Sequence, residues 1–413
     1  MTFTLINVVF LGAAVTAVVA VAVLHRPAGG MPPLRALGLG FLAMAVLTMV
    51  FDNVMIAARL FDYDDDKRLG ILLGRAPIED FAYPLGAVIL LAALWWPFVT
   101  RSRDRDAAGP PGTGTGPLAT RRRLWDSTAA QILLASRPLS WVNTAFPFAM
   151  AYLFTTRTVD AEFVVGTLFF LIPYNLLMYG VNDVFDHESD KRNPRKGGAE
   201  GALLDESLHR ATLLWSVLPP IPFALWLLAQ GSVAAGAVLL VVLFAVVAYS
   251  APGLRFKERP VLDSATSSTH FVGPCVYGFV LAGAQLTSAH LLILAAFFLW
   301  GMAAQAFGAV QDIGADRAGG LASIGTVFGA ARTVRLALTA WALAALLLMV
   351  APWPAPLAAV VVLPYVALAW PFRNLTDEDA PAANRGWRRF LAANYAAGAF
   401  LSQILIGLWQ SAG

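Results

Sequence analysis

The stretch that decides how this chain is built is NDVFDHESDKRNPRKG, residues 182–197, which lies between two long apolar runs. Asp183, Asp186 and Asp190 are spaced so that a helix would present them on one face, together with Asn182. Carboxylates at the end of a membrane helix are costly unless they serve a function. A small set of hard oxygen ligands suits Mg²⁺, which shares its coordination shell with water and substrate phosphates. The alternative is a solvated loop, which accounts for the cations that follow but not for the spacing of the acids.

The composition is that of a membrane protein. Of the 413 residues, 58% are hydrophobic and 13% are charged, and the mean hydropathy is +0.66, whereas about 25% of residues in soluble domains are charged. The net charge of +3 arises from basic residues in short loops, which fits membrane orientation rather than nucleic-acid binding. The single cysteine, Cys275, excludes a disulfide within one chain.

The apolar runs predict an all-α polytopic membrane protein with about twelve transmembrane helices. The predicted spans are 5–24, 36–58, 79–99, 137–155, 162–185, 211–229, 232–250, 263–284, 289–311, 332–350, 356–371 and 389–409. After the third span, residues 101–123 are rich in Gly, Pro and Arg, as flexible linkers are. We therefore predict a three-helix module at 1–100, a linker at 101–125 and a nine-helix module at 126–413.

Lysine and arginine are distributed unequally between alternate loops of the nine-helix module, and this bias predicts its orientation. The rich side holds Lys191, Arg192, Arg195, Lys196, Arg210, Arg255, Lys257, Arg259, Arg317, Arg332, Arg335, Arg373, Arg385, Arg388 and Arg389, and the other side has essentially Arg157. The rich side should face the cytoplasm of a multi-pass protein in the cell membrane. The 182–197 stretch lies on that side.

Two further features are predicted at the same membrane face. Asp312 and Asp316 form a second carboxylate pair, spaced i,i+4, as a two-ion site would need. Between the motifs, Arg255, Lys257 and Arg259 alternate, and an extended loop would point their head groups one way. These cations either enforce orientation or, together with Arg195 and Lys196, neutralise phosphate oxygens.

This set of groups is suited to ionising an allylic diphosphate. Diphosphate becomes a good leaving group when metal ions and cations neutralise its charge. The carbocation that forms must be kept from water, and a membrane pocket excludes water. Side chains that either stabilise this cation or serve plain packing are Phe169, Tyr174, Tyr179 and Tyr249.

Over residues 130–410 the chain resembles the UbiA superfamily of intramembrane prenyltransferases. The resemblance is carried by Asn182-Asp183-x-x-Asp186-x-x-x-Asp190, Asn193-Pro194-Arg195-Lys196-Gly197, Tyr249-Ser250-x-Pro252 with Arg255 and Lys257, and Asp312-x-x-x-Asp316. It implies a central cavity, an isoprenoid diphosphate donor, and Mg²⁺ held by the five aspartates, which are also the implied catalytic residues. The implied substrate-binding residues are Asn182, Arg195, Lys196, Tyr249, Ser250, Arg255 and Lys257. Gly314 and Ala315 stand where many members have a further acid, which would weaken the second metal site.

Residues 51–85 are similar to one half of the small-subunit type of carotenoid (lycopene) cyclase. The similarity is carried by Phe51-Asp52-Asn53 and Pro77-Ile78-Glu79-Asp80. It implies that Glu79 and Asp80 are catalytic and that Asn53 binds substrate. A buried acid has a raised pKa, as a general acid that protonates a terminal isoprenoid double bond requires. The alternative is that these acids only favour a helix dipole.

The cyclase family combines two such three-helix subunits, so the resemblance implies a second cyclase chain as partner. Together the modules imply fifty-carbon carotenoid synthesis by an enzyme of the lycopene elongase type. It would transfer dimethylallyl groups from dimethylallyl diphosphate to the ends of lycopene or a related carotenoid, with ring closure by the cyclase module. The alternatives are a quinone, aromatic or chlorophyllide acceptor, and a non-enzymatic transporter or scaffold. The spans carry almost no Arg or Lys, which favours an apolar acceptor over an aromatic acid.

Overall fold

The computed structural model describes residues 2–25, 34–57, 63, 65–90, 128–187 and 206–411. The chain divides into two compact units, Met1–Arg123 and Leu124–Gly413. The predicted linker at 101–125 lies outside the described residues, as does the end of the predicted third span.

The first unit consists of helices and one short hairpin. Its elements are α1 Thr2–His25, α2 Leu34–Ala57, β1 Leu72–Leu73, β2 Ala76–Pro77 and a helix, α3, at 82–90. β1 and β2 pair antiparallel, with Leu72 opposite Pro77. A 3-10 turn, Ile78–Phe81, connects β2 to α3 and carries Glu79 and Asp80. Helical structure of the third predicted span therefore begins with this turn, because Pro77 has the extended backbone of the hairpin.

Asn53 on α2 holds the hairpin in place. Its Nδ2 donates to the Leu73 carbonyl at 2.9 Å, and its Oδ1 accepts from the Arg75 N–H at 2.6 Å. A Cβ at Gly74 would lie 2.2 Å from Asn53 Oδ1, so the turn requires glycine. The hairpin was not predicted from the sequence. Its backbone is hydrogen-bonded to the side-chain amide of Asn53, which was expected to bind substrate. The substrate-binding role of Asn53 stays a prediction.

The second unit is a helical bundle. Its helices are α4 Thr128–Ala135, α5 Trp141–Thr156, α6 Ala161–Leu171, α7 Val181–Phe185, α8 His209–Val217, α9 Pro220–Gln230, α10 Val233–Ser250, α11 Leu262–Leu281, α12 Ser288–Val310, α13 Ile313–Ala318, α14 Ile324–Phe328, α15 Ala330–Val350, α16 Ala355–Ala358, α17 Val362–Ala369 and α18 Asn384–Ser411. Short 3-10 and π turns join several of them.

Within the described residues, eight helical segments are long and apolar enough to cross a membrane. The remaining predicted spans correspond to α1, α3, α5 and α11, which are also helical. α5 is only 16 residues long, and α11 carries many small polar residues. The prediction of an all-α polytopic membrane protein is confirmed.

α11 is the central helix of the bundle and packs against α5, α10 and α12. At Gly278 the contact with α5 is so close that a Cβ would lie 2.7 Å from the Phe148 carbonyl oxygen. Small residues permit such a close approach. In membranes, where the hydrophobic effect does not drive helices together, this close packing stabilises their association. Two clusters of buried side chains form the core, one around Phe148, Phe170 and Tyr277 and one around Phe307, Trp341 and Tyr365.

The second predicted span of the bundle is interrupted rather than continuous. α6 ends before Pro173, and a π turn, Leu176–Gly180, precedes α7. Proline removes a backbone N–H, so Pro173 cannot continue the hydrogen-bond pattern of α6. Two buried side chains donate to the Phe170 carbonyl: Thr144 at 2.7 Å and Asn175 at 2.9 Å. This repair permits a broken helix at membrane depth.

Candidate active site

The two described aspartates of the first motif are buried, and each carboxylate has a basic partner. Asp183 and Asp186, at the end of α7, are 3% and 8% exposed. Arg137, just before α5, donates from Nη2 to Asp183 Oδ1 at 3.0 Å. Lys257 forms an ion pair with Asp186 Oδ1. Polar groups from three separate parts of the chain therefore meet at this motif.

The π turn Leu176–Gly180 sets the direction in which α7 presents its acids. A π turn adds a residue to one helical turn and is frequent at functional sites. At the end of the turn, a Cβ on Gly180 would lie 2.1 Å from Ser216 Oγ on α8. Glycine at this position therefore allows α8 to pack closely beside the first motif.

The end of α10 also reaches the first motif, and the substrate-binding roles of Tyr249 and Ser250 stay predictions. Ser250 Oγ donates to Asn182 Oδ1 at 2.8 Å. Gln305 Nε2 on α12 donates to the Tyr249 hydroxyl at 3.3 Å. These bonds connect α7, α10 and α12 through uncharged polar side chains next to the acids.

The basic loop is a turn, and the expectation of an extended strand-like loop was wrong. Residues Phe256–Glu258 form a 3-10 turn. Arg255 precedes it with φ of 39°, and its Nε donates to Glu258 Oε1 at 2.6 Å. This i,i+3 pair closes the turn, so the cations point in different directions. Lys257 reaches Asp186, whereas Arg259 is exposed.

The second motif acts on the same ammonium group as the first. Asp312 precedes α13, and the Asp316 N–H donates to the Asp312 carbonyl at 2.8 Å. Burial lowers the pKa of Lys257 to about 8. The carboxylates of Glu258, Asp316 and Asp183, in decreasing order, oppose this shift. Acids of both motifs therefore lie within electrostatic range of Lys257.

Three predicted site residues, Asp190, Arg195 and Lys196, lie outside the described residues. Their roles as a metal ligand and as phosphate-binding cations stay predictions.

Two charged residues beside the site were not predicted from the sequence. Arg137 pairs with Asp183, and its guanidinium carbon lies 4.3 Å from the centroid of the Tyr179 ring. Asp263, 1% exposed, accepts from the Ile324 N–H at 2.8 Å and so connects α11 to α14. Each stands near a proline at the start of a helix, a weak signal that does not show which distant group it meets.

The aromatic candidates divide into two groups. Phe169 and Tyr174 are fully buried in the core, and the Tyr174 hydroxyl donates to the His270 carbonyl at 3.2 Å, so they serve packing. Tyr179 and Tyr249 border the acidic site through Arg137 and the α10 contacts. Only the second group therefore lies next to the acids, and a role for it in stabilising a reacting cation stays a prediction.

The donor set fits a magnesium-type cation. Among the described residues, no group of three His, Cys, Asp or Glu side chains is arranged to hold a metal by itself. Mg²⁺ needs no such group, because it usually takes one or two carboxylates and completes its shell with water and phosphates. The carboxylates of Asp183 and Asp186 already bind the cationic groups of Arg137 and Lys257, so this is a place where positive charge is stabilised.

A second acidic cluster lies in the first unit. Glu79 and Asp80, 7% and 8% exposed, line a cavity together with Asn7, Tyr63, Arg68, Pro77 and Tyr83. The Tyr63 hydroxyl donates to Asp80 Oδ2 at 2.7 Å. The general-acid role of Glu79 and Asp80 stays a prediction.

Comparison with known proteins identifies a family and several similar chains. The model of the UbiA prenyltransferase family matches residues 144–395. The chain is 46% identical over 394 residues to a C(50) beta-cyclic carotenoids biosynthesis protein of Dietzia sp. (strain CQ4), covering 91% of each chain. It is 50% identical over 280 residues to a lycopene elongase/hydratase of Corynebacterium glutamicum, covering 68% of this chain and 97% of the relative.

Among solved structures, a UbiA homolog from Archaeoglobus fulgidus bound to DMAPP and Mg²⁺ aligns with a TM-score of 0.47 at 21% identity, covering 65% of this chain and 98% of the homolog. The family match covers more than half of the chain, and the Dietzia relative matches nearly its full length. The chain therefore belongs to the UbiA prenyltransferase family.

Proposed function

We propose that this chain is a bifunctional enzyme of fifty-carbon carotenoid synthesis in the cell membrane. The second unit transfers dimethylallyl groups from dimethylallyl diphosphate to the ends of lycopene. The first unit contributes one half of an end-ring cyclase, whose other half is a separate chain. The observation that carries the transferase part is the convergence of Asp183, Asp186 and Asp316 around the buried ammonium of Lys257.

In the transferase site, acids and cations have complementary tasks. Asp183, Asp186, Asp312 and Asp316, with Asp190, would hold Mg²⁺, which as a Lewis acid neutralises the diphosphate when bound. Lys257 contributes a further positive charge from the buried side of the site. The polar contacts of Asn182 and Ser250 keep α7 and α10 aligned around these groups.

The reaction breaks the allylic C–O bond, and the diphosphate leaves with the electron pair. The terminal double bond of lycopene then attacks the five-carbon cation and forms a C–C bond. The positive charge moves to the acceptor and is resolved by proton loss or by addition of water. The ring of Tyr179, which already lies under a guanidinium group, is positioned to stabilise positive charge.

The state of Arg137 favours an apolar acceptor. An aromatic acid acceptor requires a cation near the site for its carboxylate. Arg137 is a basic side chain at the site, but it is committed to Asp183 at 3.0 Å and to the ring of Tyr179.

The size of the relatives supports the assignment of the two units. The Corynebacterium relative matches 97% of its own length with only 68% of this chain, whereas the Dietzia relative matches 91% of both. This fits a transferase at 126–413, a linker at 101–125 and an additional cyclase module at 1–100. The excess of basic residues in alternate loops supports a transferase site that faces the cytoplasm.

The test is expression of the full chain in cells that make lycopene. Their extracts should contain carotenoids heavier than lycopene by one and two five-carbon units. Absence of both species would refute the elongase activity. Mg²⁺-dependent binding of a thiolated dimethylallyl diphosphate analogue by the purified chain separates the enzyme from a transporter or scaffold.

A further inference from the structure

His270 places an imidazole inside the membrane-spanning part of the second unit. It lies on α11, eight residues after Leu262, the first residue of the helix, and is 3% exposed. At about 1.5 Å per residue, it lies about 12 Å along the helix from the end that follows the basic loop. Ionisable side chains are rare in membrane spans and costly there unless they serve a function.

The His270 ring has a buried nitrogen without a hydrogen bond. Nε2 finds no partner in the part of the chain that the structure describes. The His270 carbonyl, in contrast, accepts from the Tyr174 hydroxyl at 3.2 Å. The backbone of α11 is therefore fixed here by a contact that does not use the imidazole. An unpaired polar atom in an apolar interior is destabilising, so an apolar ring would serve packing better than histidine.

The imidazole lies against a residue of the candidate active site. Its ring meets the Tyr249 ring edge-on, with centroids 5.2 Å apart and planes at 78°. Tyr249 precedes Ser250, which donates to Asn182 in the first motif. A single ring thus separates His270 from the polar end of the site. Since the proposed function places the diphosphate at that end, the five-carbon group and the acceptor lie deeper in the bundle, where His270 is.

The polar side chains around Tyr249 are hydrogen-bonded without His270 Nε2. Gln305 Nε2 donates to the Tyr249 hydroxyl at 3.3 Å, and Gln305 Oε1 accepts from the Ser267 hydroxyl at 3.1 Å. Ser267 lies one turn before His270 on α11, so this chain of bonds runs beside the imidazole. A neutral imidazole has one donor and one acceptor nitrogen. With Nε2 as the acceptor, its lone pair is available to a group that enters the site.

We infer that His270 is the base of the transferase unit: Nε2 takes the proton that the acceptor loses after the five-carbon group has been added. The inference rests on the proposed transferase function and deepens it. The substrate class is an acyclic isoprenoid whose terminal carbon bears two methyl groups. Neutral histidine is a general base suited to neutral pH. The carboxylates of Asp183 and Asp186 are less suited, because they already stabilise positive charge.

The step is balanced. The less substituted carbon of the terminal double bond attacks the five-carbon cation, which leaves the positive charge on the carbon with two methyl groups. Nε2 of His270 takes a proton from one of these methyl groups, and the electrons of that C–H bond form a double bond to the charged carbon. The imidazolium passes its proton to solvent as the products leave. Each addition therefore releases one diphosphate and one proton, and the charged carbon gains no oxygen from water.

The test is an elongation assay in membranes that contain the full chain, with lycopene, dimethylallyl diphosphate and Mg²⁺. His270→Asn keeps a polar group at the position of Nδ1 and removes Nε2. His290→Asn is the matched control, because His290 bonds the Thr287 hydroxyl at the start of α12, outside the site. His270→Asn should lower the rate at saturating substrate roughly 100-fold or more, and His290→Asn should retain it. His270→Phe keeps a ring against Tyr249 and should show the same loss as His270→Asn.

Three readouts distinguish a base from a packing residue. The Kd of a thiolated dimethylallyl diphosphate analogue should be the same in His270→Asn as in the unsubstituted chain. Added imidazole should restore part of the elongation lost in His270→Ala and none of that lost in Asp186→Ala. An acceptor deuterated in its terminal methyl groups should lose one deuterium for each five-carbon unit that the unsubstituted chain adds.

The possible failures are separable. Elongation by His270→Asn or His270→Phe at the rate of His290→Asn overturns the inference. A loss of elongation that accompanies a weaker Kd, or that imidazole does not restore, overturns it in favour of packing. A product that retains every deuterium also overturns it, because the methyl groups then lose no proton. If the unsubstituted chain forms no heavier carotenoid, the proposed transferase function itself is wrong.

Discussion

Replacement of Lys257 by glutamine should weaken donor binding far more than the same replacement of Arg259, although both remove a positive charge from the same short loop. The Lys257 side chain is 11% exposed and pairs with the Asp186 side chain, which is 10% exposed when counted without its backbone. Arg259 is exposed, and its guanidinium carbon lies 5.4 Å from the centroid of the Phe256 ring. We therefore expect only Lys257 to contact a diphosphate bound between the aspartate motifs.

The expected magnitude follows from the burial of the ammonium group. A hydrogen bond to a charged group contributes about 1.5–3 kcal/mol, and about 1.4 kcal/mol corresponds to a tenfold change in an equilibrium constant. Lys257→Gln should therefore raise the Kd of dimethylallyl diphosphate by roughly 10- to 100-fold. A single exposed charge contributes about 0–1 kcal/mol, so Arg259→Gln should change the Kd by less than about fivefold.

The assay is calorimetric binding of a thiolated dimethylallyl diphosphate analogue to the purified chain with Mg²⁺ at neutral pH. Lys257 is then charged, since its pKa is lowered only to about 8. Lys257→Arg should retain much of the affinity because it keeps the charge. Thermal midpoints separate a binding defect from the stability lost when the buried Asp186 carboxylate has no cation. Equal Kd values for Lys257→Gln and Arg259→Gln would refute the reasoning.

Three further predictions address the metal site, the packing and the pH dependence. Asp186→Ala should abolish carotenoid elongation in lycopene-making cells while the protein accumulates, and any heavier carotenoid in the extracts contradicts its role. Gly180→Ala should destabilise the fold by about 1–3 kcal/mol, the cost of overpacking, and so lower the thermal midpoint. Ser216→Ala in the same chain should restore the midpoint, because the added Cβ meets Ser216 Oγ. The hydrogen bond from the Ala330 N–H lowers the pKa of Asp377. The ionised carboxylate therefore stabilises the fold at pH values above 3.8, the ordinary pKa of the group. This stabilisation is lost as the pH falls through the lowered pKa of Asp377. Asp377→Ala should therefore cost about 1 kcal/mol at neutral pH and progressively less in acid, and a difference in thermal midpoint that does not change with pH contradicts the assignment.

The acidic motifs could be predicted because helical periodicity relates residues three and four positions apart. Asp183 with Asp186, and Asp312 with Asp316, needed only this rule and the apolar runs around them. The partner of each acid could not be predicted in this way. Arg137 lies 46 positions before Asp183 in the sequence and meets it because α5 packs against α6, which leads into α7.

The directions in which the basic side chains point depend on a local ion pair, which their alternation in the sequence does not reveal. Arg255, Lys257 and Arg259 alternate in the sequence, so an extended loop was expected. The ion pair of Arg255 with Glu258 instead closes a 3-10 turn. A pair of opposite charges three residues apart is itself a sign of a helical turn. The sequence does not show, however, which of the three cations pairs with the buried Asp186, and in the structure that cation is Lys257.

Irregular backbone occurs beside each acidic cluster, and the reason is physical. A regular helix satisfies its own backbone groups, so it offers side chains only the helical periodicity. Turns at membrane depth persist only where the protein supplies substitute partners. Thr144 and Asn175 do so near the π turn that precedes Asp183. Asn53 likewise supplies hydrogen-bond partners to the hairpin before Glu79, which lies between two predicted spans. Because these partners come from elsewhere in the fold, periodicity cannot predict the turns. The π turn and the hairpin are both hydrogen-bonded by polar side chains from elsewhere in the chain. Such irregular backbone therefore marks a polar interior, and in both units that interior holds the acids.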